Sequence, residues 1–175
     1  WEEALDRFTA MQPLRVAPNA ITYVATLSAC EKGLQWEQAM RLFLLMKRTK
    51  ITPDLITCNV AISAFEKGKR WVHALDLFAE MLQMKHQPNL ISSSAAISAC
   101  ETSKQWNQAL ALFSEMLLAS ILPDIICCNA VCSACEKVAQ WKQSLGLLAK
   151  MPVIATTRAP LRDVISYGAA ISACA

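Results

Sequence analysis

The stretch WEQAMRLFLLM, Trp36 to Met46, recurs along the chain at intervals of 35 residues. Its other forms are WEEALDRFTAM from Trp1, WVHALDLFAEM from Trp71, WNQALALFSEM from Trp106 and WKQSLGLLAKM from Trp141. These five tryptophans are all the chain has. Within Trp36–Met46 the apolar residues Trp36, Ala39, Met40, Phe43 and Met46 fall on one face of a helix of 3.6-residue period. A fixed period of this size marks a stacked repeat array, in which each unit covers the next.

A second recurring segment lies upstream of each tryptophan. It opens at Ile21, Ile56, Ile91 and Ile126, and again at Ile165, where the unit is cut short. Each of the first four follows Pro-Asn or Pro-Asp: Pro18-Asn19, Pro53-Asp54, Pro88-Asn89 and Pro123-Asp124. Proline there forbids continuation of the preceding helix. About a dozen residues of helix are expected to follow, rich in small side chains. Ser28-Ala29 recurs as Ser63-Ala64, Ser98-Ala99, Ser133-Ala134 and Ser172-Ala173, which lets neighbouring helices approach closely. Gly33 and Gly68 stand where a left-handed helix cap is expected.

The first helices are nearly free of charge until their ends, and the second helices carry scattered charges. An inner layer of first helices and an outer layer of second ones follows from that asymmetry. The expected fold is all-α, a right-handed superhelical α-solenoid of helix-turn-helix repeats with a concave face. Its units are a partial repeat over 1–20, repeats over 21–55, 56–90, 91–125 and 126–164, and a partial repeat over 165–175. The repeat opening at Ile126 carries four extra residues within Pro152–Leu161, and Arg162 stands in the place of the proline before Asp163. A connecting loop tolerates such an insertion best. The chain opens and closes in mid-motif, so an excerpt of a longer array is expected, with any targeting segment outside it.

Composition narrows the function. The 175 residues are 54% hydrophobic, ample for a continuous apolar seam. A net charge of +3 permits a nucleic-acid partner without demanding one. No uncharged stretch reaches the ~18 apolar residues a membrane span needs. Two histidines argue against histidine-centred catalysis or a histidine-rich metal site. Cys30, Cys100, Cys135 and Cys174 end the phrase Ser-Ala-Cys, and Phe65 takes that place in the remaining repeat. A site that accepts either residue is apolar and buried, so a reduced protein is expected.

The period of 35, the methionine closing the second helix and the P-[DN]-x-I-[TSC] junction together resemble the pentatricopeptide repeat family. The tetratricopeptide pattern, with Leu-Gly after its tryptophan and a following tyrosine, fits less well. The resemblance spans essentially the whole chain. It implies sequence-specific binding of single-stranded RNA, about one base per repeat. It also implies organellar work in chloroplast or mitochondrion on transcript stability, processing, editing or translation, beside other organellar RNA-processing proteins.

Carried over, the base-reading pairs are Val24 with Asp54, Asn59 with Asn89, Ser94 with Asp124 and Asn129 with Asp163. The implied target core is any base at Val24/Asp54, then a pyrimidine, guanine and uracil. The opening isoleucines Ile21, Ile56, Ile91, Ile126 and Ile165 are implied to sandwich bases. Lys32, Lys67 and Lys137 are implied to approach phosphates, and Thr102 interrupts that series.

Simpler roles stand beside these. The Asp or Asn after each proline serves equally as a helix N-cap. Val24, Asn59, Ser94, Asn129 and Gly168 differ in chemistry while their neighbours repeat, which fits an exposed reading site or an exposed neutral one. Tryptophan and methionine on an amphipathic helix are packing residues. The lysines also complement a helix C-terminal dipole. Cys132-Ser-Ala-Cys135, with Cys128 one turn earlier, lacks the second pair or histidine that zinc requires, and apolar packing is expected there. No metal, cofactor or small-molecule substrate is expected. No phosphate loop, nucleophile elbow or zinc-protease motif suggests an enzyme. The competing expectation is a scaffold that binds a peptide on the concave face.

Overall fold

The computed structural model describes residues 1–11, 13–154 and 164–174, with the backbone alone over 150–154. The described residues form ten helices and no strand. They are α1 (Glu2–Ala10), α2 (Ala20–Lys32), α3 (Trp36–Arg48), α4 (Leu55–Lys67), α5 (Trp71–Gln83), α6 (Leu90–Thr102), α7 (Trp106–Leu118), α8 (Ile125–Glu136), α9 (Trp141–Ile154) and α10 (Val164–Cys174). The chain divides into two compact units, Trp1–Pro88 and Asn89–Ala175. In the first, α2 stacks on α4, and α3 lies against both. In the second, α6, α8 and α10 stack in turn; α7 lies against α6 and α8, and α9 against α8 and α10. Within each unit the first helices thus form one layer and the second helices the other, which is α-solenoid packing.

The amphipathic phrase buries its inner face in α3, α5 and α7, whereas Trp1 and Trp141, expected to pack, are 40 and 45% exposed. In α3 the residues Ala39, Leu42, Phe43 and Met46 are buried, and in α5 their equivalents Ala74, Leu77, Phe78 and Met81 are buried likewise. Burying a side chain such as Met46 or Met81 contributes about 1.5–3 kcal/mol. The shared Cys/Phe site is buried too, with Cys30, Cys100 and Cys135 fully covered and Phe65 1% exposed. Ser144 replaces the alanine of the other second helices, and its hydroxyl is buried with no hydrogen-bond partner among the described residues. Such an orphan group costs about 1–3 kcal/mol.

Every turn between the helices of a repeat closes through one left-handed residue. Leu34, Lys69, Lys104 and Ala139 have φ between 54° and 59°. The next N–H returns to the helix: Gln35 to the Cys30 carbonyl at 2.9 Å and Arg70 to the Phe65 carbonyl at 2.8 Å. Left-handed backbone costs a non-glycine residue roughly 1–2 kcal/mol. The glycines are not at this position, contrary to the expectation for Gly33 and Gly68. Gly33 has φ −81° and Gly68 φ −75°, which any residue adopts. Their reason is close approach. A Cβ on Gly33 would lie 2.4 Å from Cδ1 of Trp1, and one on Gly68 would lie 2.6 Å from Cβ of Trp36. The tryptophan of one repeat therefore seats on the turn of the next. Trp36 is completed there by the Arg70 guanidinium, 4.2 Å from a ring centroid, and by the His73 ring at 5.8 Å.

α9 continues through Pro152 to Ile154. The remainder of the expected insertion, together with Arg162 and Asp163, lies outside the described residues.

Candidate functional site

The proline-terminated junctions place an Asn or Asp at the N-cap of four first helices. Each accepts, through Oδ1, the backbone N–H three residues on. Asn19 accepts from Thr22 at 2.9 Å, Asp54 from Thr57 at 2.8 Å, Asn89 from Ser92 at 3.0 Å and Asp124 from Cys127 at 2.8 Å. Asn19 and Asn89 complete reciprocal capping boxes. Capping is thus a real role for these residues. In each of these bonds the head group is held by one atom, Oδ1. The other head atom is an acceptor Oδ2 in Asp54 and Asp124 and a donor Nδ2 in Asn89. Partial desolvation raises the Asp54 carboxyl. The Thr57 hydroxyl and N–H, its own N–H and nearby His86 outweigh that, holding it below the ordinary carboxylate value. Asp54 is therefore an ionised acceptor at neutral pH.

At the second position of each first helix comes the opening isoleucine. Ile21, Ile56, Ile91, Ile126 and Ile165 are 77, 60, 61, 59 and 62% exposed, although each belongs to a chain whose other recurrent apolar positions are largely buried. Three residues later on the same face stand Val24, Asn59, Ser94, Asn129 and Gly168. Contrary to the expectation of an exposed position, Asn59 is buried and Val24, Ser94 and Asn129 are half-buried, because the stacked neighbouring helix covers part of this face; Gly168 alone is exposed. The stripe continues four residues on through the serine of Ser-Ala and ends at Glu-Lys.

The second unit shows what this stripe builds. An open groove with about 300 Å³ of solvent space is lined by Ile126, Asn129 and Ser133 of α8, Ser98 and Glu101 of α6, and Ile165 of α10. Asn129 therefore shares one groove with two exposed isoleucines. Ser94 is hydrogen-bonded to the Cys127 thiol, and Cys127 is the residue whose N–H Asp124 caps.

Lys32, Lys67 and Lys137 are exposed at the helix ends. Lys67 pairs with Glu31 at 2.7 Å and Lys137 with Glu101 at 2.5 Å, each glutamate belonging to the preceding repeat. Ser63 and Ser133 donate to the same carboxylate oxygens, at 2.8 and 3.0 Å. From the sequence these serines count only as small residues, and the glutamates stand out only through the recurrence of Glu-Lys. The recurring Ser-Ala-x-Glu-Lys phrase was the available signal. His86 was missed as well. It replaces the Val16, Ile51 and Ile121 of the other junctions, and its Nε2 lies 3.1 Å from the Pro53 carbonyl beside Asp54.

Cys58, Cys100, Cys127, Cys128 and Cys135 are buried, and burial pushes the Cys128 thiol up to about 12 and the other four to about 11. Among the described residues no three metal-binding side chains converge, and no described helix is long and apolar enough to cross a membrane.

The solenoid packing defines a helical-repeat protein. A pentatricopeptide repeat domain model matches residues 8–70 and 41–103, and a PPR repeat model matches residues 91–121. The chain belongs to the pentatricopeptide repeat family. No curated protein matches its sequence. Among solved structures it is similar to the pentatricopeptide repeat protein PPR10 in complex with an 18-nt psaJ RNA element, at TM-score 0.74 and 21% identity over 96% of this chain and 25% of that one. It is also similar to the PPR domain of Arabidopsis thaliana protein-only RNase P 1 in complex with tRNA, at TM-score 0.80 and 15% identity, covering 95% of this chain and 86% of that one. Nuclear proteinaceous RNase P 2 from A. thaliana gives TM-score 0.77 and 14% identity, covering 86% and 34% of the two chains. The chain thus spans a quarter of the PPR10 chain it matches.

Proposed function

We propose that this chain is a sequence-specific single-stranded RNA-binding module, acting in organellar RNA metabolism. The observation that carries this reading is the groove of the second unit, which Asn129 lines together with the exposed isoleucines Ile126 and Ile165. Exposed branched side chains beside an amide suit a flat base, which they cover on both faces while the amide meets its edge. Asn offers a donor and an acceptor, Ser a rotatable hydroxyl, and Val neither, so successive repeats answer different bases. Family membership and the RNA-bound PPR10 and RNase P relatives support the same reading.

Capping and base reading are compatible in one residue. The cap bond through Oδ1 fixes the head group's orientation, and the second atom differs in polarity between Asp and Asn. With the chain running along the RNA 5′ to 3′, the core site is any base, a pyrimidine, guanine and uracil. Its members are Val24/Asp54, Asn59/Asn89, Ser94/Asp124 and Asn129/Asp163. Selection from a randomised RNA pool tests this, with Asn129→Thr as the sharper arm. That variant is expected to shift preference at one nucleotide from uracil toward guanine, leaving its neighbours unchanged. An equal loss for every base would make Asn129 structural, and binding no better than to single-stranded DNA would end the base-reading claim.

A further inference from the structure

Lys67 and Lys137, at the ends of two first helices, are held by carboxylates of the preceding repeat, once in each unit and with the same atoms. Glu31 Oε1 receives Ser63 Oγ at 2.8 Å and Lys67 Nζ at 2.7 Å. Glu101 Oε1 receives Ser133 Oγ at 3.0 Å and Lys137 Nζ at 2.5 Å, and Lys137 Nζ also lies 3.3 Å from the Glu101 carbonyl. The serine and lysine are four residues apart on one helix, so both reach the same oxygen. The glutamate side chains are only 18 and 22% exposed, against 39 and 35% for their lysines. Glu101 and Ser133 line the groove that holds Asn129. A carboxylate is therefore built into the wall of a groove whose proposed ligand is a polyanion.

We infer that Glu31 and Glu101 act as internal counterions that restrain Lys67 and Lys137 from the RNA backbone, so that binding depends less on phosphate and more on bases. This rests on the RNA-binding reading above. A lysine already neutralised by a partly buried carboxylate does not neutralise a phosphate, so fewer of the cations condensed on the RNA are released when it binds. Approach of a phosphate must either displace the glutamate or leave the lysine where it is. In both cases the sequence-independent part of the affinity is reduced, which favours discrimination over retention on any single strand.

The salt dependence of binding reads this directly. The probe is a labelled short RNA carrying an A-C-G-U core, titrated with the whole chain between about 50 and 200 mM salt. Glu→Gln at both Glu31 and Glu101 retains shape and the serine hydrogen bond while removing the charge. The slope of log K against log salt is expected to steepen by about 0.7 for each freed lysine, about 1.4 in all, with tighter binding at low salt and less preference over a scrambled core. Glu→Asp at the same places keeps the charge and is expected to keep the wild-type slope. Lys67→Met with Lys137→Met should change the slope little in the wild-type background, yet cancel the gain in the Glu→Gln background.

An unchanged slope in the Glu→Gln variant overturns the inference. So does a flattening by about 1.4 when the lysines alone are removed, because they would then already sit on phosphates. Either result leaves RNA binding by the wild-type chain standing. Wild type that binds no RNA at any salt removes the underlying reading, and this inference with it.

Discussion

Cys128, Cys132 and Cys135 of α8 are fully buried, whereas Tyr167, Ile171 and Cys174, at the same register of α10, are exposed, Ile171 by 70%. The two helices differ little in apolar character. What differs is their surroundings: α8 lies against α6, α7, α9 and α10, and α10 against α8 and α9. On its side toward those neighbours α10 is as well covered as α8, with Ala169, Ala170 and Ala173 buried. A repeat thus owns only half of its core, and the other half is completed by the next helix in the stack.

The largest test of this comparison uses one register position in α6 and α10. Ile97 is fully buried and Ile171 is not. Ile97→Ala is expected to cost about 2–5 kcal/mol, and Ile171→Ala less than about 0.5 kcal/mol. Urea unfolding midpoints of the two variants measure this, and equal losses would show that α10 is covered in solution.

Glycine supplies the next contrast, because the same substitution should change sign with the neighbourhood. Gly68→Ala places a methyl 2.6 Å from Trp36 and is expected to destabilise by about 1–3 kcal/mol. Gly168 in α10 has nothing within 4 Å of such a methyl, so Gly168→Ala is expected to stabilise by about 0.5–1 kcal/mol through helix propensity. Thermal melting of both variants decides it. A harmless Gly68→Ala would mean that the tryptophan does not rest on that turn.

The smallest effects are chemical. Cys174 is exposed while Cys135, its α8 equivalent, is buried with its thiol pushed up to about 11. A thiol reagent at neutral pH is expected to modify Cys174 quickly and the seven buried cysteines only on unfolding. The same thiols make stability depend on alkaline pH. Their folded pKa is raised, so their contribution is complete below the ordinary value of 9.0 and is lost as pH climbs toward about 11. Melting temperature should therefore fall across that window, and a flat profile would show that the buried thiols ionise freely.

Much of this was legible because repetition separates constant from variable positions. The period located the helices to within a residue or two, except the end of α9, which runs three residues past Met151, since proline, the Asx cap and the tryptophan mark most ends chemically. The buried Cys/Phe site was readable from what it accepts. The stripe of Ile126 and Asn129 was readable as two positions, but not as the two sides of one groove with Ile165. Gly33 and Gly68 were misread because glycine near a helix end has two physical causes, backbone conformation and close approach, and a single chain does not distinguish them. The serines of Ser-Ala were credited with smallness, and their hydroxyls went unnoticed.

By itself the sequence determined the 35-residue period, the helical pairs, the caps and which positions vary, because these follow from side-chain spacing and local backbone chemistry. The tertiary structure alone decided that tryptophan presses on the next turn, that Glu31 and Glu101 capture Lys67 and Lys137, and that Tyr167 and Ile171 are uncovered where Cys128 and Cys132 are not. Those contacts join residues of different repeats. They depend on the distance and rotation between stacked helices, which a repeat period does not contain.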